Sequence, residues 1–153
     1  MITLSAFGYE QNLNSPIDAF SNTFESKSFI NGPAVNQFEN AFKEYVGAED
    51  CVAVSSCTSA LQLSLLALGV GPGDEVITVP YTWVSTVEVI KQVGAQPVFV
   101  DINKNDFCMD VTQIGEVITS KTKAILPVDL YGNVADIDNL KKFNIPVVQD
   151  SAQ

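Results

Sequence analysis

Short apolar segments alternate with longer segments of helical pattern along most of the chain. Five segments are rich in β-branched residues and have the length of buried strands; they lie at 51–54, 75–79, 97–100, 124–128 and 146–148. Helices are predicted between them, at 59–69, 83–93, 111–119 and 136–143. Short strands that alternate with helices are typical of a mostly parallel sheet covered on both faces. The pattern therefore predicts an α/β fold with three layers, α/β/α.

Local signals indicate where several helices begin and end. A Ser-Pro pair at 15–16 predicts the start of a first helix, with the serine as N-cap and the proline in the first helical position. Apolar residues at three- and four-residue spacing predict a second, amphipathic helix over 35–46, which ends at Gly47. Thr82 is a predicted N-cap for the helix at 83–93.

The glycine-rich stretch at 69–73 needs separate attention, because glycines can mark a dinucleotide site. Here Gly69, Gly71 and Gly73 follow a predicted helix and precede a strand, whereas the dinucleotide fingerprint has the opposite order and a different spacing. They are predicted to form a helix C-cap and a tight turn. The chain also has no Gly-Lys-Ser/Thr sequence, which excludes a P-loop.

The run of small hydroxyl residues at 55–59 is the first candidate for a binding site. It joins a predicted strand to the start of a helix, so free backbone N–H groups and the positive end of the helix dipole meet there. Such a spot suits a phosphate, and Thr58 and Ser59 would add hydroxyl donors. An equally simple interpretation is that these residues are only an N-cap and a turn.

Composition narrows the possible functions. The 153 residues are 46% hydrophobic and carry a net charge of −10, which argues against nucleic acid or an anionic membrane as partner. The absence of histidine excludes Ser-His-Asp and Cys-His catalysis and most zinc sites within this chain. Three cysteines without metal-type spacing favour reduced thiols and hence a cytoplasmic location. No apolar run approaches the length of a membrane span.

Asp150 follows directly after the last predicted strand. In parallel α/β proteins, functional residues gather at the carboxyl ends of the strands, and Asp150 lies at such an end. Termini usually lie in flexible segments at the surface of a domain. Because the chain stops at Gln153, so soon after a central strand, we expect it to be part of a longer protein.

Sequence motifs spread over nearly the whole chain carry a resemblance to a known family. They are FINGP (29–33), SSCTSAL (55–61), LGVGPGDEV (68–76), YTW (81–83), PVFVD (97–101), KTKAI (121–125), YG (131–132) and PVVQDSAQ (146–153). On these residues the chain resembles the N-terminal part of the pyridoxal-phosphate-dependent sugar aminotransferases of the DegT/DnrJ/EryC1/StrS family. The resemblance implies the large domain of the aspartate-aminotransferase fold (fold type I). Residues 1–14 would form an N-terminal arm, and 15–153 an incomplete coenzyme-binding domain without its later strands and small C-terminal domain.

The resemblance also implies roles for individual residues. Thr58 and Ser59 match the helix start that binds the phosphate of pyridoxal 5'-phosphate (PLP). Trp83 matches an aromatic residue that stacks on the pyridine ring, and Asp150 an acid that keeps the ring nitrogen protonated. Gln153 matches a position near the phenolic oxygen of the coenzyme.

Some of these residues have other interpretations when the family is set aside. Trp83 could be an ordinary core tryptophan. Asp150 could be a helix N-cap. Cys57 stands where many family members have glycine or alanine, and the sequence gives no reason to assign it any chemistry.

The function implied by the resemblance is transfer of an amino group from an amino acid, expected to be glutamate, to a nucleotide-linked keto-sugar. Such sugars feed polysaccharide and antibiotic biosynthesis, and the family acts as homodimers. The lysine that holds PLP as a Schiff base is expected beyond Gln153, so this chain contains no catalytic residue and is expected to be inactive alone. A dehydratase of the same family, with histidine in place of that lysine, and a non-catalytic remnant are the alternatives.

Overall fold

The computed structural model describes residues 16–153 and divides the chain into two compact units, 1–53 and 54–153. The first unit contains helices α1 (Pro16–Ser26) and α2 (Pro33–Val46). Both predicted helices are therefore confirmed. The predicted arm at 1–14 and the predicted N-cap at residue 15 lie outside the described residues.

Helix α2 ends as its sequence predicts but begins at Pro33, two residues before the predicted start at 35. A proline stands at its start, and Gly47 ends it in the left-handed conformation with φ of 69°. Its apolar stripe is nevertheless not buried. Phe38 and Phe42 stack on each other with ring centroids 5.7 Å apart, and no residue of α2 is buried.

The second unit is built around a three-stranded parallel sheet. Its elements are α3 (Cys57–Ala67), β1 (Glu75–Thr78), α4 (Val84–Gln92), β2 (Gln96–Phe99), α5 (Ile114–Val117), β3 (Thr122–Ile125) and α6 (Ile137–Lys141). The strand order is β2-β1-β3, and both pairings are parallel. The predicted α/β class with a parallel sheet is confirmed.

The segment after α6 extends this arrangement beside β3. Ile125 pairs with Val147, and Val128 pairs with Asp150, both in parallel sense. The segment is bonded to its neighbour at both ends, since the Ile125 N–H donates to Pro146 and the Asp150 N–H donates to Pro127, each at 2.9 Å. The predicted strand at 146–148 is thus present as isolated bridges and not as a regular strand.

The core lies between the sheet and the helices. Strands β1 and β3 and helices α3 and α4 each supply two of its buried apolar side chains, which are Leu61, Leu65, Val76, Ile77, Val89, Ile90, Ala124 and Ile125. Burying one such leucine, isoleucine or valine side chain stabilises the fold by about 1.5–3 kcal/mol. This packing fixes the carboxyl edge of the sheet, where the chain segments after β1 and β3 run side by side. The buried Thr78 ties them together by donating its hydroxyl to the Leu126 carbonyl at 2.9 Å.

The predicted buried strand at 51–54 is wrong. Within the described residues this segment pairs with no strand, and the side chain of Val52 is 75% exposed. The Ala53 N–H donates to the Glu39 carboxylate at 2.8 Å instead of to a strand carbonyl. β-Branched residues favour a strand only when a neighbouring strand supplies hydrogen bonds and cover, and no neighbour is present here.

Helix boundaries also differ in detail from the prediction. Helix α3 begins two residues earlier than predicted, at Cys57. Thr82 is not the N-cap of α4; that position belongs to Trp83, and the Thr82 hydroxyl instead lies 3.1 Å from that of Thr86. The predicted helix at 111–119 is a short 3-10 turn followed by the four-residue α5.

The glycine-rich turn at 69–73 has its predicted structural role. Gly69 has φ of 71° and ends α3, a backbone conformation that favours glycine. Asp74 then closes the turn, because the Gly71 N–H donates to its carboxylate at 3.0 Å and its own N–H donates to the Gly71 carbonyl at 3.1 Å. The stretch therefore connects α3 to β1.

Candidate functional site

Asp150 lies at the carboxyl edge of the sheet, held on both sides of its peptide unit. Its N–H donates to the Pro127 carbonyl and its carbonyl accepts from the Asp129 N–H, each at 2.9 Å. The residue is only 5% exposed. These two backbone bonds therefore fix the position of a buried carboxylate at the end of the strand pairing.

Three donors from three parts of the chain contact this carboxylate. The Thr86 hydroxyl in α4 donates to Oδ2 at 2.8 Å, and the Cys57 thiol in α3 to Oδ1 at 3.5 Å. The Ala152 N–H donates to Oδ1 at 3.2 Å. The bond from the Ala152 N–H is local, like that of a helix cap. The bonds from Cys57 and Thr86 bring the first turns of α3 and α4 to the same carboxylate.

All three donors are neutral, and no cation lies among them. The basic side chains of this chain are eight lysines, all within the described residues 16–153. Over that range, none of them contacts Asp150. Burying a charged carboxylate is unfavourable unless it is paired. The surroundings of Asp150 therefore favour a cationic group supplied by a ligand.

The N-terminus of α3 lies next to this carboxylate, because the first residue of the helix is Cys57. Ser56 caps the helix by accepting the Ser59 N–H on its side chain at 3.1 Å. The Ser59 hydroxyl lies 3.0 Å from that of Ser56. Thr58 lies in the first turn, where N–H groups have no carbonyl partner within the helix. The helix dipole adds positive charge at this point.

Trp83 and Gln153 line a cavity of about 350 Å³ at the same edge. Trp83 is 68% exposed, so it is not a core tryptophan. It stands one helical turn before Thr86, since its carbonyl accepts the Thr86 N–H at 3.1 Å, and the Thr86 hydroxyl in turn bonds Asp150. The predicted site residues Trp83 and Asp150 are thereby joined through a threonine that the sequence interpretation missed.

Two tyrosines from separate loops complete the cavity wall. The hydroxyls of Tyr81 and Tyr131 lie 3.0 Å apart, and both rings pack near Phe107, with centroid distances of 6.2 and 5.8 Å. The hydrogen bond with Tyr81 raises the pKa of Tyr131. Tyr131 has φ of 56°, a left-handed conformation that is uncommon for a bulky residue. The sequence places Tyr131 beside Gly132 but gives no sign of this pairing.

Cys57, like Thr86, contacts the Asp150 carboxylate although the sequence interpretation gave it no role. The residue is exposed, yet its sulfur lies against the Asp150 carboxylate. Partial burial around the sulfur, followed by the negative charge and the hydrogen bond of Asp150, raises the pKa of the Cys57 thiol. The thiol is therefore protonated at neutral pH and acts as a hydrogen-bond donor.

This arrangement gives a prediction for thiol reactivity. Replacing Asp150 with asparagine removes the negative charge that disfavours the thiolate, so the pKa of Cys57 should fall and its alkylation at pH 8 should accelerate. Iodoacetamide labelling followed by peptide mass spectrometry measures the rate. Cys51 is the internal control and should react at the same rate in both proteins. An unchanged or slower rate at Cys57 would contradict the contact with Asp150.

Within residues 16–153 no group of three or more Cys, Asp or Glu side chains is placed to hold a metal ion. No helix in that range is long and apolar enough to cross a membrane.

The chain is similar to proteins of one known family over most of its length. The model of the DegT/DnrJ/EryC1/StrS aminotransferase family matches residues 11–153. The UDP-2-acetamido-2-deoxy-3-oxo-D-glucuronate aminotransferase of Pseudomonas aeruginosa is 45% identical over 129 residues, which cover 82% of this chain and 36% of that protein. The chain spans 36% to 40% of the length of the curated relatives it matches.

Solved structures with the same fold include a complex with a ketimine intermediate and a dehydratase. DesV of S. venezuelae superposes with a TM-score of 0.86 at 35% identity, covering 90% of this chain and 38% of that one. A GDP-4-keto-6-deoxymannose-3-dehydratase, solved with a trapped PLP-glutamate geminal diamine, gives 0.81 at 32% identity, covering 88% and 38%. The predicted fold type I architecture is confirmed by these likenesses.

Proposed function

The chain belongs to the DegT/DnrJ/EryC1/StrS aminotransferase family, and we propose that it forms part of the coenzyme-binding domain of a PLP-dependent sugar aminotransferase. The observation that carries the proposal is the buried Asp150 carboxylate. Within the described residues it accepts hydrogen bonds from neutral donors only, and one of these donors, Thr86, lies one helical turn after the exposed Trp83.

The residues at this edge fit the chemistry of PLP. Asp150 is an acceptor without a cationic partner in the described residues, which suits the protonated nitrogen of a pyridine ring. When bound, PLP supplies an electron sink for the carbanion that forms at the substrate carbon. In our proposal Asp150 holds the proton on the ring nitrogen, and Thr86 and Cys57 orient the carboxylate by their hydrogen bonds.

The other predicted site residues take consistent places in this proposal. Trp83 offers an exposed aromatic face for stacking on the ring. Thr58 and Ser59 bind the phosphate at the start of α3, where the helix dipole favours an anion. Because the Ser59 N–H is already bonded to Ser56, we assign the backbone contact to Thr58 and a hydroxyl contact to Ser59. Gln153 lies at the cavity rim and is proposed to bond the phenolic oxygen.

The reaction partners are proposed from the relatives. The Pseudomonas relative is named as an aminotransferase of a UDP-linked 3-oxo-sugar acid, which supports a nucleotide-linked keto-sugar as amino acceptor. Glutamate in the dehydratase structure supports glutamate as amino donor. None of the eight lysines, all of which lie in the described residues, lines the cavity of Trp83 and Gln153, and we therefore propose that the lysine which holds PLP covalently lies outside these 153 residues.

A sugar dehydratase is the second candidate. The likeness to the GDP-4-keto-6-deoxymannose-3-dehydratase favours it specifically, because that enzyme shares the fold and PLP at 32% identity. The residue at the position of the covalent lysine separates the two candidates. We expect lysine there in an aminotransferase and histidine in a dehydratase. An assay with glutamate and a nucleotide-linked keto-sugar distinguishes them. An aminotransferase would transfer nitrogen from glutamate to the sugar, whereas a dehydratase would release water from the sugar.

The proposal predicts where the phosphate binds. In the protein that carries these residues, Ser59→Ala should weaken PLP binding by about 10-fold, because a hydrogen bond to a charged group contributes about 1.5–3 kcal/mol. Equilibrium titration of PLP into the apoprotein measures the dissociation constant. Ser64→Ala, the same change later in α3, is the control and should leave that constant unchanged. Equal weakening by both variants would indicate that α3 does not present the phosphate site.

A further inference from the structure

Asp129 is a second buried carboxylate at the carboxyl edge of the sheet, and the proposed chemistry does not use it. The residue is 8% exposed and follows Val128, which pairs with Asp150 across the strands. Its Oδ1 accepts the Ala135 N–H at 2.9 Å. That bond anchors Asp129 to the loop that leads into α6.

The other oxygen of Asp129 binds both sequence neighbours of Asp150. Oδ2 accepts from the Gln149 amide at 2.7 Å and from the Ser151 hydroxyl at 2.6 Å. The Asp129 N–H donates in addition to the Asp150 carbonyl at 2.9 Å. One residue thus holds the side chains before and after Asp150 and the backbone carbonyl of Asp150 itself.

The chemistry of the partners explains why an acid stands at this position. Ala135, Gln149 and Ser151 all present donors to Asp129, and an ionised carboxylate is the side chain that accepts only. An asparagine would turn an N–H group towards Gln149 and Ser151 and lose at least one of these bonds. No lysine contacts Asp129 within residues 16–153, so its charge is offset by these three donors.

We infer that Asp129 is a positioning residue that fixes the direction of the Asp150 carboxylate towards the ring nitrogen of PLP. The inference rests on the proposed function of Asp150. Asp129 itself contacts neither of the two helices that contact the Asp150 carboxylate, and it acts through the peptide segment 149–151. A small change in the orientation of that segment would move the Asp150 carboxylate away from the ring nitrogen.

Asp129→Asn in the PLP-loaded protein that carries these residues tests the inference. We expect a kcat at least 10-fold lower, a KM for glutamate within about 2-fold of the unmodified value, and PLP affinity reduced about 10-fold. Amide hydrogen exchange of the apoprotein should accelerate in 149–152 and stay unchanged in β1. Asp110→Asn is the matched control, because Asp110 also accepts three hydrogen bonds, from the Thr112 N–H and hydroxyl and from Gln113.

A milder variant keeps the test valid if Asp129→Asn does not fold. Ser151→Ala removes one donor and leaves the carboxylate, so it should lower kcat by a smaller factor. Combined with Asp129→Asn, it should lower kcat by less than the product of the two single effects, because both changes remove the same bond.

The outcomes separate this inference from the proposed function. If the unmodified protein does not bind PLP, the proposed function fails and the inference falls with it. If the unmodified protein binds PLP and turns over while Asp129→Asn matches Asp110→Asn in kcat, PLP affinity and exchange of 149–152, the inference alone is overturned. A lower melting temperature with unchanged kcat would likewise overturn it, since the role would then be structural only.

Discussion

Asp150→Asn is expected to lower turnover by about 100- to 1,000-fold in the protein that carries these residues. An asparagine has nearly the same shape and can still bond Thr86, but its neutral amide cannot hold a proton on the ring nitrogen. Without that positive charge the ring withdraws electrons less strongly, and the step that forms the carbanion slows. Steady-state kcat with glutamate and a nucleotide-linked keto-sugar measures the loss. PLP titration should give a dissociation constant within about 10-fold of the unmodified protein, since stacking and phosphate contacts remain.

A matched control for this change lies after β2, on the far side of the sheet. Asp101 follows β2 at the same edge of the sheet, is exposed, and accepts only the local N–H of Ile102 at 2.8 Å on its carboxylate. Asp101→Asn should therefore leave kcat unchanged. Near-normal turnover of Asp150→Asn, or an equal loss in both variants, would show that the ring nitrogen is not paired with Asp150.

The regular part of the fold could be predicted because its signals are local. Apolar runs such as 75–79 and 124–128 carry their strand pattern within themselves, Pro16 marks the start of α1, and Gly47 marks the end of α2. A parallel arrangement then follows from the alternation of strands with helices. These features depend on residues a few positions apart, which a single sequence displays directly.

The segment 51–54 could not be predicted correctly from the same signals. Its composition is that of a buried strand, but a strand also needs a neighbour, and the neighbour is set by the fold as a whole. In the described residues, Val52 and Val54 remain exposed and the Ala53 N–H finds the Glu39 side chain. Local propensity therefore indicated what the segment prefers and not what it contacts.

The site shows the same division between local and distant information. Thr58, Ser59, Trp83, Asp150 and Gln153 were found because family motifs contain them. The residues that orient Asp150 were missed, since Thr86 and Cys57 are 64 and 93 positions away in the chain. Asp129 is 21 positions away, and although it also follows a predicted strand, the sequence does not show that it contacts residues 149–151. Such contacts become visible only once the sheet brings the segments together.

The isolated 153-residue polypeptide is expected to self-associate at about 10–100 μM. Large apolar side chains are exposed on it, including Phe20, Phe24, Phe29, Ile30, Phe38, Phe42, Val52, Leu63 and Leu66. Within the described residues, β2 is a sheet edge, with β1 on one side and no strand on the other. Exposed apolar surface and an open strand edge both favour association with another copy. Sedimentation velocity over a concentration series should show species heavier than the 16.5 kDa monomer.

Two paired variants of α2 identify the cause. The double variant Phe38→Lys/Phe42→Lys removes two exposed aromatic rings and should reduce the average mass of the sedimenting species. Lysine has a high helix propensity, so the helix should remain intact. Asn36→Lys with Asn40→Lys adds the same charge at the same spacing on exposed positions of α2 and should leave association unchanged. Equal effects of the two pairs would assign the association to net charge instead of apolar exposure. A polypeptide that stays monomeric throughout the series would show that these side chains are covered within the chain itself.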